Sequence, residues 1–117
     1  MTTLTVPDRA AVAAALAEPA ISISIIRPKP GRFEDYMALQ LAQHLRLRGQ
    51  VEGLRGGRLF KSPDTDTVVL VTVFETAQDA KRFSQDPRFT EHLERVKPLI
   101  ESAQAGPYEL AYAVGAI

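Results

Sequence analysis

The chain has 117 residues, 45% apolar and 24% charged, with fourteen basic side chains cancelling fourteen acidic ones, the profile of one globular domain. Zero net charge removes the field that would collect DNA, RNA or an anionic membrane. The chain has no cysteine, which excludes disulfides, thiolate chemistry and Cys-bound zinc or iron–sulfur centres, and with two histidines far apart and no paired carboxylates at ligand spacing no metal site is expected.

No run approaches the roughly 18 uninterrupted apolar residues of a membrane span, and no basic region followed by an apolar core opens the chain. A cytoplasmic protein is expected. In chain order, Pro7 to Glu18 (PDRAAVAAALAE) is predicted as a short helix, opened by Pro and Asp and stopped before Pro19. Residues 1–20 are read as a helical extension and 21–117 as the domain. Ile21 to Arg27 alternates isoleucine with Ser22 and Ser24, the period of a strand. Pro28 to Gly31 turns the chain, and Phe33 to Arg48 follows as a helix, acidic in its first turn, basic in its last, with Gly49 just beyond.

Gly53 to Lys61 reads as a weaker strand in which Gly56 and Gly57 mark a bulge, and Ser62 to Asp66 is a polar turn. Thr67 to Glu75, TVVLVTVFE, completes a hairpin and is apolar on both faces, with Val69, Val71 and Val73 pointing one way and Val68, Leu70, Thr72 and Phe74 the other. Thr76 is the predicted N-cap of the next helix and Asp86 with Pro87 that of a second piece ending near Pro98. Gly106 and Pro107 then lead into a last strand, Tyr108 to Val114. The sum is a ferredoxin-like β-α-β-β-α-β domain with an antiparallel sheet and both helices on one face. A chain this short covers only one face of the two-faced strand. The other requires a partner, so a homodimer is expected.

The stretches RPKPGRF, VLVTVFET and DAKRFSQDPRF, in this order and spacing over Ile21 to Tyr112, resemble the antibiotic biosynthesis monooxygenase family of dimeric α+β barrels. The resemblance implies two sheets packed face to face, and for several members oxidation of anthrones or quinols by dioxygen without metal or flavin; others degrade haem. On that resemblance the glutamate and histidine of quinol-oxidising members fall at Thr72 and Phe83. The asparagine, tryptophan and iron-ligating histidine of the haem-degrading branch fall at Ser24, Phe83 and Leu93, one residue from His92.

At about 100° per residue, Phe33, Met37, Gln40 and His44 share one helix face, flanked by Tyr36, Leu41 and Leu47. In the resembling fold the pocket lies between this face, the second helix and the sheet. His44 is the candidate base toward a phenol, its ordinary pKa of about 6.5 suiting the task, or it satisfies Gln40 or a backbone carbonyl. Ser22, Ser24, Tyr36, Gln40, Thr72 and Phe83 are the candidate substrate contacts. Ser22 and Ser24 equally suit a close approach of helix to sheet, and Tyr36, Phe83 and Phe89 equally suit a core. His92 is expected to face solvent. Arg46, Arg48, Arg55, Arg58 and Lys61 form a basic rim, solvated or steering an anionic tail. The expected activity is a cofactor-independent monooxygenase acting on a small electron-rich aromatic. The alternatives are an isomerase or cyclase using the same base and a non-catalytic ligand-binding dimer. An RNA-binding module of the same element order fails because the third strand offers valines where stacking aromatics are needed.

Overall fold

The computed structural model describes residues 19–115; the predicted helix Pro7 to Glu18 lies outside the described residues. The elements are β1 (Ala20–Pro28), α1 (Phe33–Leu47), β2 (Leu54–Lys61), β3 (Val68–Phe74), α2 (Ala77–Ser84), α3 (Pro87–Val96), a 3₁₀ turn (Lys97–Leu99) and β4 (Ile100–Tyr108). They form one four-stranded sheet in the order β2-β3-β1-β4, antiparallel at every contact. This is the ferredoxin-like arrangement read from the sequence.

Local chemistry sets the boundaries. α1 carries Glu34 and Asp35 in its first turn and His44 and Arg46 in its last, charges that complement the helix dipole, and Gly49 just beyond has a φ of 72° that a side chain would resist. Thr76 Oγ1 accepts from the Asp79 amide at 3.1 Å, and its hydroxyl donates to Asp79 Oδ2 at 2.9 Å, closing the first turn of α2. Asp86 Oδ1 accepts from the Arg88 amide at 2.8 Å with Pro87 at the first helical position, which starts α3 as a separate piece. Both caps were legible in the sequence.

Two features differ from the sequence reading. The last strand ends at Tyr108 where a strand was predicted to begin, and Gly106 and Pro107 lie inside it, opposite Ile23 and Ser22. Proline is tolerated there because β4 is an edge strand with no neighbour to receive its missing N–H. The bulge in β2 falls between Leu54 and Gly56, so Arg55 is the extra residue and the glycines follow it.

Cross-strand partners share a face, which sorts the sheet. Ile26 opposite Val68, Ser24 opposite Leu70, Ser22 opposite Thr72 and Ala20 opposite Phe74 all look toward the helices. The residues between them, including Ile21, Ile23, Val71 and Val73, look the other way. One core cluster joins Ile26 and Val68 to Tyr36, Val96 and Leu99. At the opposite end of the sheet Phe83 packs 5.8 Å from Phe74 and 5.2 Å from Phe89, centroid to centroid. The second sheet face is apolar and uncovered among the described residues. Among those residues no helix is long and apolar enough to cross a membrane.

Candidate functional site

The two apolar ends leave a polar middle between them. On β1 and β3 the rungs between the Ile26·Val68 core and the Phe74 aromatic end are Ser22·Thr72 and Ser24·Leu70. All four side chains are only half-buried although they face the helices. Gly57 stands beside Thr72 on β2 and Ala105 beside Ser24 on β4. Small side chains at the middle rungs give the sheet a low floor there, edged by three hydroxyls.

The roof is built by two antiparallel helices. Along α1 the inward positions run Tyr36, Gln40, Gln43; along α3 they run Val96, His92, Arg88 in matching order. Tyr36 and Val96 share the core cluster, His92 Nε2 meets Gln40 Oε1 at 2.9 Å, and Gln43 Nε2 donates to the Arg88 carbonyl at 3.0 Å. Arg46 in turn donates to Gln43 Oε1. The Gln40–His92 bond therefore lies over the serine and threonine rungs, between an aliphatic end and an aromatic end.

His92 is 6% exposed, which corrects the expectation that it faces solvent. Its pKa is pushed below the ordinary histidine value first by burial and then by Arg46 and Arg95, so the ring is held neutral at physiological pH. A neutral imidazole that donates from Nε2 to the Gln40 carbonyl keeps a lone pair on Nδ1, the tautomer following from which way the amide is turned.

Tyr36 is 1% exposed and its hydroxyl is a buried polar atom without a hydrogen-bond partner. Burial pushes its pKa up to about 12, so it stays protonated and able to donate. Leaving such a group unpaired costs on the order of 1–3 kcal/mol.

The structure brings Ser22, Ser24, Thr72 and Gln40 around this middle, with Phe83 in the aromatic end and Tyr36 in the aliphatic end. His44 is not among them: it is exposed in the last turn of α1, and Leu41, one turn earlier, is exposed too. The buried stripe of α1 is Tyr36, Gln43 and Leu47, with Phe33 and Gln40 half-buried. That stripe is rotated by about half of the ~100° residue step from the face the sequence favours. Gln43, a polar residue in the stripe, hid the true centre. Sequence reasoning missed His92 and Gln43 for this reason; the 3-4-3 spacing of Phe89, His92, Val96 and Leu99 was the available signal.

Among the described residues no group of three or more His, Asp or Glu side chains is placed to hold a metal. His92 does not fit as a haem-iron ligand, because its Nε2 is already engaged by Gln40 in the seam between two helices. Leu93, at the position where the haem-degrading branch carries its ligand, offers none.

A profile of a family described as antibiotic biosynthesis monooxygenase matches residues 19–95. No curated protein matches the chain. Among solved structures, SnoaB of Streptomyces nogalater, described as a cofactor-independent oxygenase, superposes with a TM-score of 0.75 at 14% identity over 86% of this chain and 100% of that one. Protein SO0527 of Shewanella oneidensis gives 0.72 at 19% over 80% and 92%. Rv0793 of Mycobacterium tuberculosis gives 0.68 at 21% over 85% and 99%. At these identities the likeness is one of fold.

Proposed function

This chain belongs to the antibiotic biosynthesis monooxygenase family, and from that premise we propose that it is a cofactor-independent monooxygenase that oxidises a small electron-rich aromatic, of the quinol, anthrone or polyketide class, with dioxygen. The observation that carries the reading is the polar middle itself. Hydroxyls of Ser22, Ser24 and Thr72 lie under a neutral, buried histidine, between two apolar ends that exclude water. A phenolic ring bound there would set its faces against apolar side chains and its oxygens toward the serines.

The proton acceptor we assign is His92, in place of His44, because His92 is buried over the hydroxyl floor whereas His44 is exposed. The phenolic proton passes to the free ring nitrogen of His92, giving a phenolate and an imidazolium whose other N–H remains on the Gln40 carbonyl. Burial favours this transfer's reversal, so the proton is available for return. The electron-rich anion then meets dioxygen: one oxygen atom becomes the new carbonyl of the product and the other leaves as water with two hydrogens of the substrate. Tyr36 and the serines orient the substrate oxygens, and Phe83 walls the slot. The apolar face of the sheet supports a homodimer, two such faces closing on each other.

The test is oxygen uptake by purified protein with a panel of hydroquinones and anthrones, alongside His92→Ala and His44→Ala. Uptake that survives His44→Ala and collapses in His92→Ala is the expected outcome. No uptake with any substrate, combined with saturable aromatic binding, moves the reading to a non-catalytic ligand-binding dimer.

A further inference from the structure

α1 is apolar on two sides. Its buried stripe is Tyr36, Gln43 and Leu47. At ~100° per residue Leu45 lies about 180° around the helix from Tyr36, with Ala38, Leu41 and Ala42 within about 60° of it. All four are exposed, Leu41 and Leu45 by 57 and 59%. The other helices are polar on the outside, with Gln78, Lys81 and Arg82 on α2 and Glu91, Glu94 and Arg95 on α3. A helix whose solvent side is also apolar carries the pattern of one covered on both sides.

We propose that this outer face is a self-association surface, on which α1 of a second copy lies antiparallel about a two-fold axis passing between Leu41 and Ala42. It lies on the opposite side of the molecule from the open sheet face, so it joins copies that the sheet contact does not, and it stands independently of the oxygenase reading.

The first support is size. An antiparallel two-fold at that point sets Leu45 opposite the second copy's Ala38 and Leu41 opposite the second copy's Ala42, and both contacts recur with the copies exchanged. Each leucine meets an alanine. Large against small is how packed helix faces interlock, whereas leucine on leucine would clash and alanine on alanine would leave a void.

The second support is charge. The same axis brings Glu34 to within one residue rise, about 1.5 Å, of the level of the second copy's Arg48. Glu34 sits in the first turn of α1 and Arg48 at its C-cap. Among the described residues neither has an ion-pair partner, whereas Asp35 is held by Arg32 at 3.1 Å. Two Glu34–Arg48 pairs therefore close the two ends of the patch. Acidic at one end and basic at the other, the stripe is complementary to its own reverse, the property that an isologous contact requires. An anionic membrane would instead meet the carboxylates of Glu34 and Asp35 and find only two large apolar side chains to take up.

The third support is scale. From Ala38 to Leu45 the patch is about 11 Å long, well short of the ~800 Å² per partner of a standard interface. The contact is therefore a weak one, formed at micromolar to millimolar concentrations, and it adds a step of association to a chain that already has the sheet face.

The experiment is sedimentation of the full chain, Leu45→Glu and Val71→Asp across that concentration range. The full chain is expected to form a species larger than a dimer, and Leu45→Glu to move that step to concentrations at least tenfold higher while the sheet-face dimer persists. Leu45 is exposed, so the variant keeps the fold, checked by its far-ultraviolet spectrum. Arg48→Glu and Glu34→Arg, each alone, set like charges against each other and are expected to lose the step. Mixed in equal amounts, one variant offers two carboxylates to the other's two guanidinium groups, and association is expected to return. A parent that goes no further than a dimer and is unaffected by Leu45→Glu overturns the proposal, as does a mixture that assembles no further than either variant alone. If Leu45→Glu is monomeric while Val71→Asp stays paired, the α1 contact holds and the open-face dimer is the reading that fails.

Discussion

Gln40 and His92 stand 52 residues apart in the chain and 2.9 Å apart in the fold. Their contact joins α1 to α3 at the level where the sheet beneath carries serine and threonine instead of the apolar residues found at either end. A buried polar pair at such a level has two uses, holding the helices in register or handling a proton, and the variants that separate them are simple.

His92→Ala is expected to lower turnover by about 10²–10⁴-fold, the usual contribution of a positioned base, while His44→Ala stays within a few-fold of the parent. Removing the ring also leaves the Gln40 amide unpaired, a cost on the order of 1–3 kcal/mol readable by urea unfolding. The decisive control is Gln40→Leu, which removes the partner but keeps the base. If both variants lose stability equally and neither loses turnover, the pair is a structural fastener.

The pH dependence follows from the lowered pKa of His92. Its neutral form is favoured in the fold, so the unfolded chain binds the proton more readily, and stability rises with pH across this transition. The contribution is fully present above about 6.5, the ordinary histidine value, and is lost as pH falls through the lower value held in the fold. Charges facing the ring are Arg46 from α1 and Arg95 from α3, both cationic throughout, so the slope belongs to His92. Parallel melts of parent and His92→Gln between pH 5 and 7.5 check this: the slope should shrink in the variant.

Much of the fold was legible because its signals are local. The alternation in Ile21 to Arg27, the two-faced valine strand and the caps at Thr76 and Asp86 each act within a few residues, and each stands where the sequence puts it. The site was less legible because it depends on which side of a helix is buried. Ser22, Ser24 and Thr72 could be placed, since strand parity is fixed by a period of two. α1 could not be oriented to better than half a residue step, because Gln43 is buried through a bond to the carbonyl of Arg88, 45 positions away. The same tertiary contact separates His92 from His44. Glu109 to Val114 continues the strand alternation without a ladder, since pairing depends on a neighbour that the sequence of one chain does not specify.

Tyr36→Phe tests whether the orphaned hydroxyl serves a ligand. Its burial without a partner is uncompensated in the unliganded fold, so removing it is expected to leave stability unchanged or raise it by up to about 1 kcal/mol. If the hydroxyl bonds the substrate, KM rises up to about tenfold, the equivalent of one neutral hydrogen bond. A variant that is less stable, with KM unchanged, would show that the hydroxyl is satisfied within the protein itself.

Val71→Asp addresses the open face. Val71 lies on the side away from the helices, opposite Ile23 on β1 and Arg58 on β2, and it is half-buried in the single chain. A carboxylate there remains hydrated in a monomer, so the fold should survive with a far-ultraviolet spectrum like the parent's. In a dimer with the two faces in contact the same carboxylate loses its water, a penalty of several kcal/mol per copy that the Arg58 guanidinium opposite it offsets only in part, and two copies bring two such charges together. The dimer dissociation constant is then expected to rise by at least about a hundredfold, or ~2.7 kcal/mol, measured by sedimentation. A variant that dimerises as tightly as the parent would place the contact elsewhere, and the two apolar faces of β3 would need a different explanation.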